Sequence, residues 1–131
     1  MKITADTNVL VRALVRDAPQ QAQAAADALL SATLVAVALP SLCELVWVLR
    51  RVYGFGAADA AAAVRALMAA SNVQANRPDV DAGLAVLEAG GDFADGVIAF
   101  EGQWLGGETF VSFDKRAVAL LQAQGQSAQR L

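Results

Sequence analysis

Two kinds of hydrophobic pattern alternate along the chain. Short β-branched and apolar segments predict strands, and these are residues 2–5, 33–39, 73–75, 109–113 and a weak edge strand over 126–131. Longer segments repeat apolar residues at helical spacing, and these are residues 9–15, 19–31, 42–53, 57–70, 78–89, 93–104 and 115–124. Strands that alternate with helices form parallel sheets covered by helices. We therefore predict an α/β fold with three α/β/α layers around a central, mostly parallel sheet of about four to five strands.

The length and composition predict one folded domain over residues 1–131. The chain has 131 residues, of which 56% are hydrophobic, so it can bury a core and is too apolar to be disordered. No linker or internal repeat interrupts it. The aromatic fraction of 6% argues against an RNA-binding sheet that stacks several bases on aromatic residues.

The chain has no histidine and only one cysteine, Cys43. Without histidine there is no Ser-His-Asp triad, no Cys-His pair, no histidine-based ribonuclease mechanism and no His-ligated zinc. A single cysteine excludes an intrachain disulfide and fits a reducing compartment. The first residues lack the apolar core of a signal peptide, and no apolar run reaches the ~18–20 residues that span a bilayer. We therefore expect a cytoplasmic protein with no membrane partner.

Two acids follow predicted strands directly. Asp6 comes after the first strand and Asp114 after the strand over 109–113. Function gathers at the carboxyl ends of parallel strands, so both are candidate site residues. Each also precedes a helix, where aspartate is a common N-cap.

Glu44 is the acid that helix packing explains least. Its neighbours from 42 to 49 are nearly all apolar, and no base lies three or four residues away to pair with it. A buried carboxylate without a partner is costly or takes up a proton, so a metal ion is a candidate partner. Alternatively, Glu44 reaches solvent at the N-terminal end of its helix, where the helix dipole favours a negative charge.

Two further acids begin the predicted sixth helix. Asp92 is placed to cap it, and Asp95 lies one turn inside, where we expect it to face the same cleft as Glu44. Asp6, Glu44, Asp95 and Asp114 would supply oxygen ligands only, which suits Mg²⁺ or Mn²⁺ and not zinc. Such a site suits phosphodiester hydrolysis, which depends on charge neutralisation and positioning.

The net charge of −3 weighs against a nucleic-acid partner. This argument weakens if four of the acids bind a metal ion, because they then no longer repel a polyanion. The chain has 13 acids and 10 bases. With four acids assigned to a metal site, the remaining charge is weakly positive. A polyanionic substrate is therefore compatible with the composition.

At this point four segments together resemble a PIN domain, and most closely the VapC-type toxins of bacterial type II toxin–antitoxin modules. They are residues 3–8 (ITADTN), 40–45 (PSLCEL), 92–99 (DFADGVIA) and 111–115 (VSFDK). The resemblance implies an endoribonuclease that uses Mg²⁺ or Mn²⁺ to cut single-stranded or loop RNA, with Asp6, Glu44, Asp95 and Asp114 as its catalytic, metal-binding acids. It also implies a toxin neutralised by a cognate antitoxin.

The resemblance gives roles to several neighbours of the acids. Asn8 is similar to the family's polar residue beside the first acid, where it holds that carboxylate or a metal-bound water. Ser112 stands where the family usually has threonine, and Asp92 supports the site as the cap of its helix. Gly96 replaces the more usual alanine, and we expect it only to weaken the start of the helix.

Basic residues near these segments are candidates for RNA contacts. They are Arg12, Arg16, Lys115 and Arg116, with Arg50 and Arg51 at the end of the third helix. For any single one of them, ordinary solvated surface is the explanation that we favour. Trp47 and Trp104 are expected to pack in the core, and the alternative for Trp47 is a place at an interface.

Partner surfaces are expected on the helices. The apolar and alanine-rich surface of helices three and four predicts a homodimer. An antitoxin segment lying across helices one to four, with an arginine on the acidic pocket, would inhibit the enzyme.

Two other functions remain open from the sequence. One is a receiver-like signalling domain, which also gathers acids around Mg²⁺ but has no use for Glu44. The other is a PIN-fold binding module without catalytic activity, against which the intact acids argue.

Overall fold

The computed structural model describes all residues from 1 to 131 and divides them into two compact units, which we call the N-terminal unit (Met1–Asn76) and the C-terminal unit (Arg77–Leu131). The N-terminal unit contains β1 (Lys2–Thr4), α1 (Thr7–Val15), α2 (Pro19–Ser31), β2 (Leu34–Ala36), α3 (Leu39–Arg51), α4 (Ala57–Ala69) and β3 (Val73–Gln74). The C-terminal unit contains α5 (Arg77–Glu88), α6 (Phe93–Trp104), β4 (Phe110–Ser112), α7 (Lys115–Ala123) and β5 (Ala128–Arg130).

The N-terminal unit is built on a three-stranded parallel sheet in the order β1-β2-β3. Val35 pairs with Ile3 on one side and Val73 on the other, and its side chain is fully buried. Strand β2 covers only three of the seven residues predicted for it, and helix α3 already begins at Leu39. Helices α1 and α3 pack here through fully buried leucines, among them Leu10 and Leu42.

The C-terminal unit has a two-stranded parallel sheet of β4 and β5. Val86, Ala99 and Leu121 form a buried cluster, against which Phe110 and Ala128 pack. Each of its three helices therefore contributes one residue to this cluster, and each strand adds another.

Helices α5 and α6 approach each other unusually closely because glycines face each other at their contact. A Cβ at Gly96 would collide with the carbonyl oxygen of Ala82, and a Cβ at Gly83 would lie 2.6 Å from the ring of Phe93. Our expectation that Gly96 merely weakens its helix was incomplete. Its missing side chain is what lets the backbone of α5 pass beside the start of α6.

The predicted α/β fold is confirmed, and each of the seven helices and five strands overlaps the segment predicted for it. Every strand pairing is parallel, with three strands in one sheet and two in the other. Helix α3 begins at Leu39, before the predicted start, because proline is well tolerated in the first turn of a helix. No helix of the structure is long and apolar enough to cross a membrane.

The prediction that both tryptophans pack in the core is wrong. Trp47 is 60% exposed and Trp104 is 76% exposed. The inward face of α3 is filled by Leu42, Leu45, Val46 and Leu49. Trp47 falls on the other side of that helix, and Trp104 is the last residue of α6.

Candidate functional site

Asp6 stands between β1 and α1 with its carboxylate exposed. It occupies the N-cap position in an extended conformation, yet its side chain accepts no capping hydrogen bond. The Asp6 carboxylate therefore does not cap α1. It lies in solvent just after the end of β1, where a ligand can reach it.

Glu44 is exposed, and a hydroxyl group holds its carboxylate. The Oγ1 atom of Thr7 donates a hydrogen bond of 3.1 Å to Glu44 Oε2. The expectation of a buried carboxylate without a partner is wrong, because the N-terminal part of α3 places Glu44 at the surface. The alternative expectation, that Glu44 reaches solvent at this end of the helix, is the correct one.

Thr7 is the residue of this site that sequence reasoning missed. It is only 7% exposed, and it links the first turn of α1 to α3. Because Thr7 follows Asp6 directly, this bond also brings the two acid-bearing segments of the N-terminal unit together. The sequence carried no signal for this role, because it depends on the burial of Thr7 and on a contact with a residue 37 positions away.

Asn8 lies on the exposed side of α1, at one end of a groove between α1 and α2. The groove has a volume of about 420 Å³ and is lined largely by small residues: Asn8, Val9, Arg12, Gln21, Ala24, Ala25 and Ala28. Its lining thus begins two residues after Asp6.

Asp114 caps α7, as one of its two predicted roles requires. Its Oδ1 atom accepts hydrogen bonds from the backbone N–H groups of Arg116 (3.0 Å) and Ala117 (3.1 Å). The backbone N–H of Asp114 in turn donates to Ser112 Oγ at 3.0 Å. Ser112 therefore fixes the turn from β4 into α7, and Asp114 Oδ2 takes no part in the cap.

Asp95 is half-buried beside two other acids of the C-terminal unit. Burial raises the pKa of its carboxyl, and the negative charges of Asp92 and Asp114 raise it further. Asp92 occupies the N-cap position of α6, as predicted. The expected capping hydrogen bond is absent, because its side chain accepts none from the first turn of the helix. The carboxylate of Asp92 instead adds to the negative potential at Asp95.

The acids divide between the two units, with Asp6 and Glu44 in the first and Asp92, Asp95 and Asp114 in the second. Within either unit, no group of three or more acidic or cysteine side chains is gathered closely enough to hold a metal ion. The donors are carboxylate, hydroxyl and amide oxygens, which fit Mg²⁺ or Mn²⁺. The meeting of all four predicted ligands in one site stays a prediction.

Arg12 is engaged within the N-terminal unit. Its Nη1 atom lies 3.1 Å from Asp17 Oδ1 and donates a longer bond of 3.4 Å to the Tyr53 hydroxyl. Tyr53 donates to Asp17 Oδ2 at 3.0 Å, and this bond, with the nearby guanidinium, lowers the pKa of Asp17. An RNA phosphate at Arg12 would compete with Asp17.

Of the other predicted RNA contacts, Arg50 is partly buried and the rest are exposed. Arg16 ends α1 in the left-handed conformation (φ 59°), and Lys115 and Arg116 lie in the first turn of α7. The guanidinium of Arg116 lies against Gly90, where an added Cβ would be 2.9 Å from its Nη2 atom. Nothing in these positions excludes a phosphate contact.

Comparison with known families matches residues 3–120 to the PIN domain. This match covers most of the chain and includes all four of the predicted metal-binding acids. No curated protein matches the chain.

Proposed function

The chain belongs to the PIN domain family, whose members are generally metal-dependent nucleases, and on this premise we propose that it is a Mg²⁺- or Mn²⁺-dependent endoribonuclease of the VapC toxin type. The observation that carries the proposal is the state of its acids. Asp6 and Asp92 occupy N-cap positions, but their side chains make no capping hydrogen bond. Asp95 is half-buried near the negative charges of Asp92 and Asp114. Carboxylates placed in this way favour a divalent cation.

In the proposed mechanism, Asp6, Glu44, Asp95 and Asp114 would hold the metal. A bound Mg²⁺ or Mn²⁺ would neutralise charge on the scissile phosphate and would lower the pKa of a water molecule. The hydroxyl of Thr7 donates a hydrogen bond to Glu44 Oε2 and thereby orients the other oxygen, Oε1. In the cap of α7, Asp114 Oδ1 accepts the hydrogen bonds, and Oδ2 has no part in the cap. Each of these two acids thus has one oxygen fixed by the fold and one left for the ligand. Asn8 and Asp92 support the site from beside it.

RNA is the proposed substrate, with Arg16, Lys115 and Arg116 as phosphate contacts and Arg12 as a fourth. The test is cleavage of a structured RNA with and without Mn²⁺. We expect Glu44→Gln and Asp95→Asn each to reduce the rate by at least a hundredfold, roughly the loss typical of a group that stabilises transition-state charge. Glu101→Gln, at an exposed position of α6, is the matched control and should cleave normally.

Cleavage that continues in EDTA, or in the Glu44→Gln protein, would contradict the proposal. Labelling by acetyl phosphate in place of RNA cleavage would favour a receiver-like domain. A chain that does neither, yet binds RNA or a partner protein, would be a PIN-fold binding module.

We propose that an antitoxin controls this enzyme by lying in the groove between α1 and α2. Its small, mostly apolar lining suits an amphipathic helix, and an arginine beyond the Asn8 end would reach the acids. Replacing that arginine in the partner should weaken inhibition while binding persists.

A homodimer through α3 and α4 is also proposed. Val52 is 62% exposed at the end of α3, and α4 exposes alanines at 58, 62, 66 and 69. Sedimentation should therefore give twice the chain mass at micromolar protein. A monomer mass that does not change with concentration, with activity retained, would refute the dimer.

A further inference from the structure

Trp47 is a large apolar side chain that the core does not use. Its indole is 60% exposed, while the inward face of α3 is complete without it. An aromatic side chain of this size gains most when it is covered, because each such ring can bury a large apolar area. The exposure of Trp47 leaves its indole free for a ligand to cover.

The strip of α3 that carries Trp47 begins with a candidate catalytic acid and ends with a base. At about 100° per residue, Glu44, Trp47 and Arg51 fall within a sector about 60° wide. Along the helix axis, Trp47 lies about 4.5 Å from Glu44 and about 6 Å from Arg51. All three are exposed, and Arg51 forms no ion pair.

We propose that Trp47 stacks on one base of a single-stranded RNA, next to the cleavage site, while Arg51 contacts a phosphate of the same strand. This inference rests on the proposed ribonuclease function and assigns a substrate-binding residue to it. Tryptophan stacks on any base, and a guanidinium at the next turn complements the phosphate charge. The strand would then be cut on the side of Trp47 that faces Glu44, because Glu44 is a proposed metal ligand.

The charges beside Trp47 favour RNA over a protein as the ligand. The nearest residues on its strip of α3 are an acid, Glu44, and a base, Arg51, so this strip is not continuously apolar as the centres of protein interfaces are. The exposed Val52 lies on a different side of α3, about 140° from Trp47. A single stacking residue also agrees with the low aromatic content, which excludes only a surface that stacks several bases.

The two tryptophans of the chain allow a direct test by fluorescence. In the Trp104→Phe protein, Trp47 is the only indole. We would titrate it in EDTA, where RNA is not cut, with an oligouridylate of about 12 nucleotides, a length within the range of single-strand binding sites. The Trp47→Phe protein, which keeps only Trp104, is the control.

Stacking predicts that oligouridylate quenches Trp47 and leaves Trp104 unchanged. An abasic strand with the same phosphates should bind through charge and leave the Trp47 emission unquenched. Trp47→Ala should weaken RNA binding about 5- to 150-fold, with partial recovery in Trp47→Phe and no change in Trp104→Ala. Arg51→Gln should lower the salt dependence by about one phosphate contact.

Kinetics separate this inference from the proposed function. With Mn²⁺, Trp47→Ala should raise KM for RNA and leave kcat nearly unchanged, because stacking acts equally on substrate and transition state. Cleavage at wild-type KM by Trp47→Ala would overturn the stacking role and leave the nuclease standing. Base-dependent quenching without any cleavage would support the stacking role and overturn the proposed nuclease.

Two other outcomes would also overturn the inference. Equal quenching by the abasic strand would show that no base covers the indole. Loss of the dimer in Trp47→Ala, with RNA affinity unchanged, would assign this face to a second copy of the chain.

Discussion

At the scale of single residues, the candidate site depends on groups that serve the fold and the chemistry together. Thr7 is buried and donates to Glu44, so a hydroxyl that helps pack the start of α1 also sets the direction of a candidate metal ligand. Alternation and helical spacing predicted the acids, because acids among apolar residues stand out. They could not predict Thr7, because its role depends on a contact between residues 37 positions apart.

Thr7→Val removes this hydroxyl with little change in shape. We expect the Mn²⁺ concentration for half-maximal cleavage to rise about tenfold or more, since hydrogen bonds to charged groups contribute about 1.5–3 kcal/mol. Thr7→Ser should restore most of the metal affinity. Thr33→Val, at an exposed position of the same unit, is the control, and an unchanged metal requirement in Thr7→Val would show that Glu44 needs no such partner.

The raised pKa of Asp95 makes this residue a source of instability in the metal-free protein. The folded protein holds the Asp95 proton more tightly than the unfolded chain does. This carboxyl therefore lowers stability as the pH rises above its ordinary value of 3.8, and the effect is complete above the raised pKa.

Asp95→Asn should accordingly raise the melting temperature in EDTA at pH 7. The gain should shrink at lower pH and vanish below about 3.8, where the group is protonated in both states. Glu101→Gln serves as the comparison in thermal unfolding followed by circular dichroism. A lower melting temperature for Asp95→Asn at pH 7 would mean that Asp95 is stabilised by contacts other than those with a metal.

At the scale of elements, the helices and strands followed from hydrophobic spacing, but the closeness of α5 and α6 did not. Glycine in a helix is normally a weakness, and the sequence offers no sign that Gly96 and Gly102 differ. In the structure, Gly96 faces the backbone of α5, while an added Cβ at Gly102 would meet nothing within 4 Å. Only the packing of two helices distinguishes these glycines, and no periodicity encodes it.

Alanine at these two positions should therefore have opposite effects. Gly96→Ala is expected to destabilise the protein by about 1–3 kcal/mol, because the helices must separate to admit a methyl group. Gly102→Ala is expected to stabilise it by about 0.5–1 kcal/mol, because it lowers the entropy of the unfolded chain. Urea unfolding of both variants measures the difference, and equal effects would contradict the close contact.

At the scale of the whole molecule, the acids on which the proposed chemistry depends belong to both halves of the sequence. Strand-end positions selected Asp6 and Asp114 as candidates, and apolar surroundings selected Glu44 and Asp95. The sequence could not give their distances or the oxygens that capping and Thr7 already use. These depend on side-chain contacts that a linear pattern does not contain.

Metal binding in solution tests whether these acids form one site. Mn²⁺ at about a hundred times its dissociation constant should stabilise the folded protein by about 2.7 kcal/mol. If the acids share a site, both Glu44→Gln and Asp95→Asn should remove most of this stabilisation, although they lie in different units. A full Mn²⁺ effect in either variant would place that residue outside the metal site.

The hydrogen bonds at Asp114 also have a genetic consequence. Asparagine caps a helix as well as aspartate does, so Asp114→Asn should preserve the start of α7 while removing a carboxylate from the proposed site. Asp114→Ala should lose the cap as well, at a cost of about 0.5–2 kcal/mol. An aspartate codon becomes an asparagine codon through a single base change, so a folded variant without this carboxylate is one mutation away.

If the chain is toxic without its antitoxin, colonies that survive its uninhibited expression should therefore include variants with asparagine at 114. The protein recovered from them should be abundant, fully folded and inactive. Sequencing the survivors and measuring their soluble protein would test this. Survivors that carry only truncations or insoluble variants would indicate that the carboxylate at 114 is not needed for toxicity.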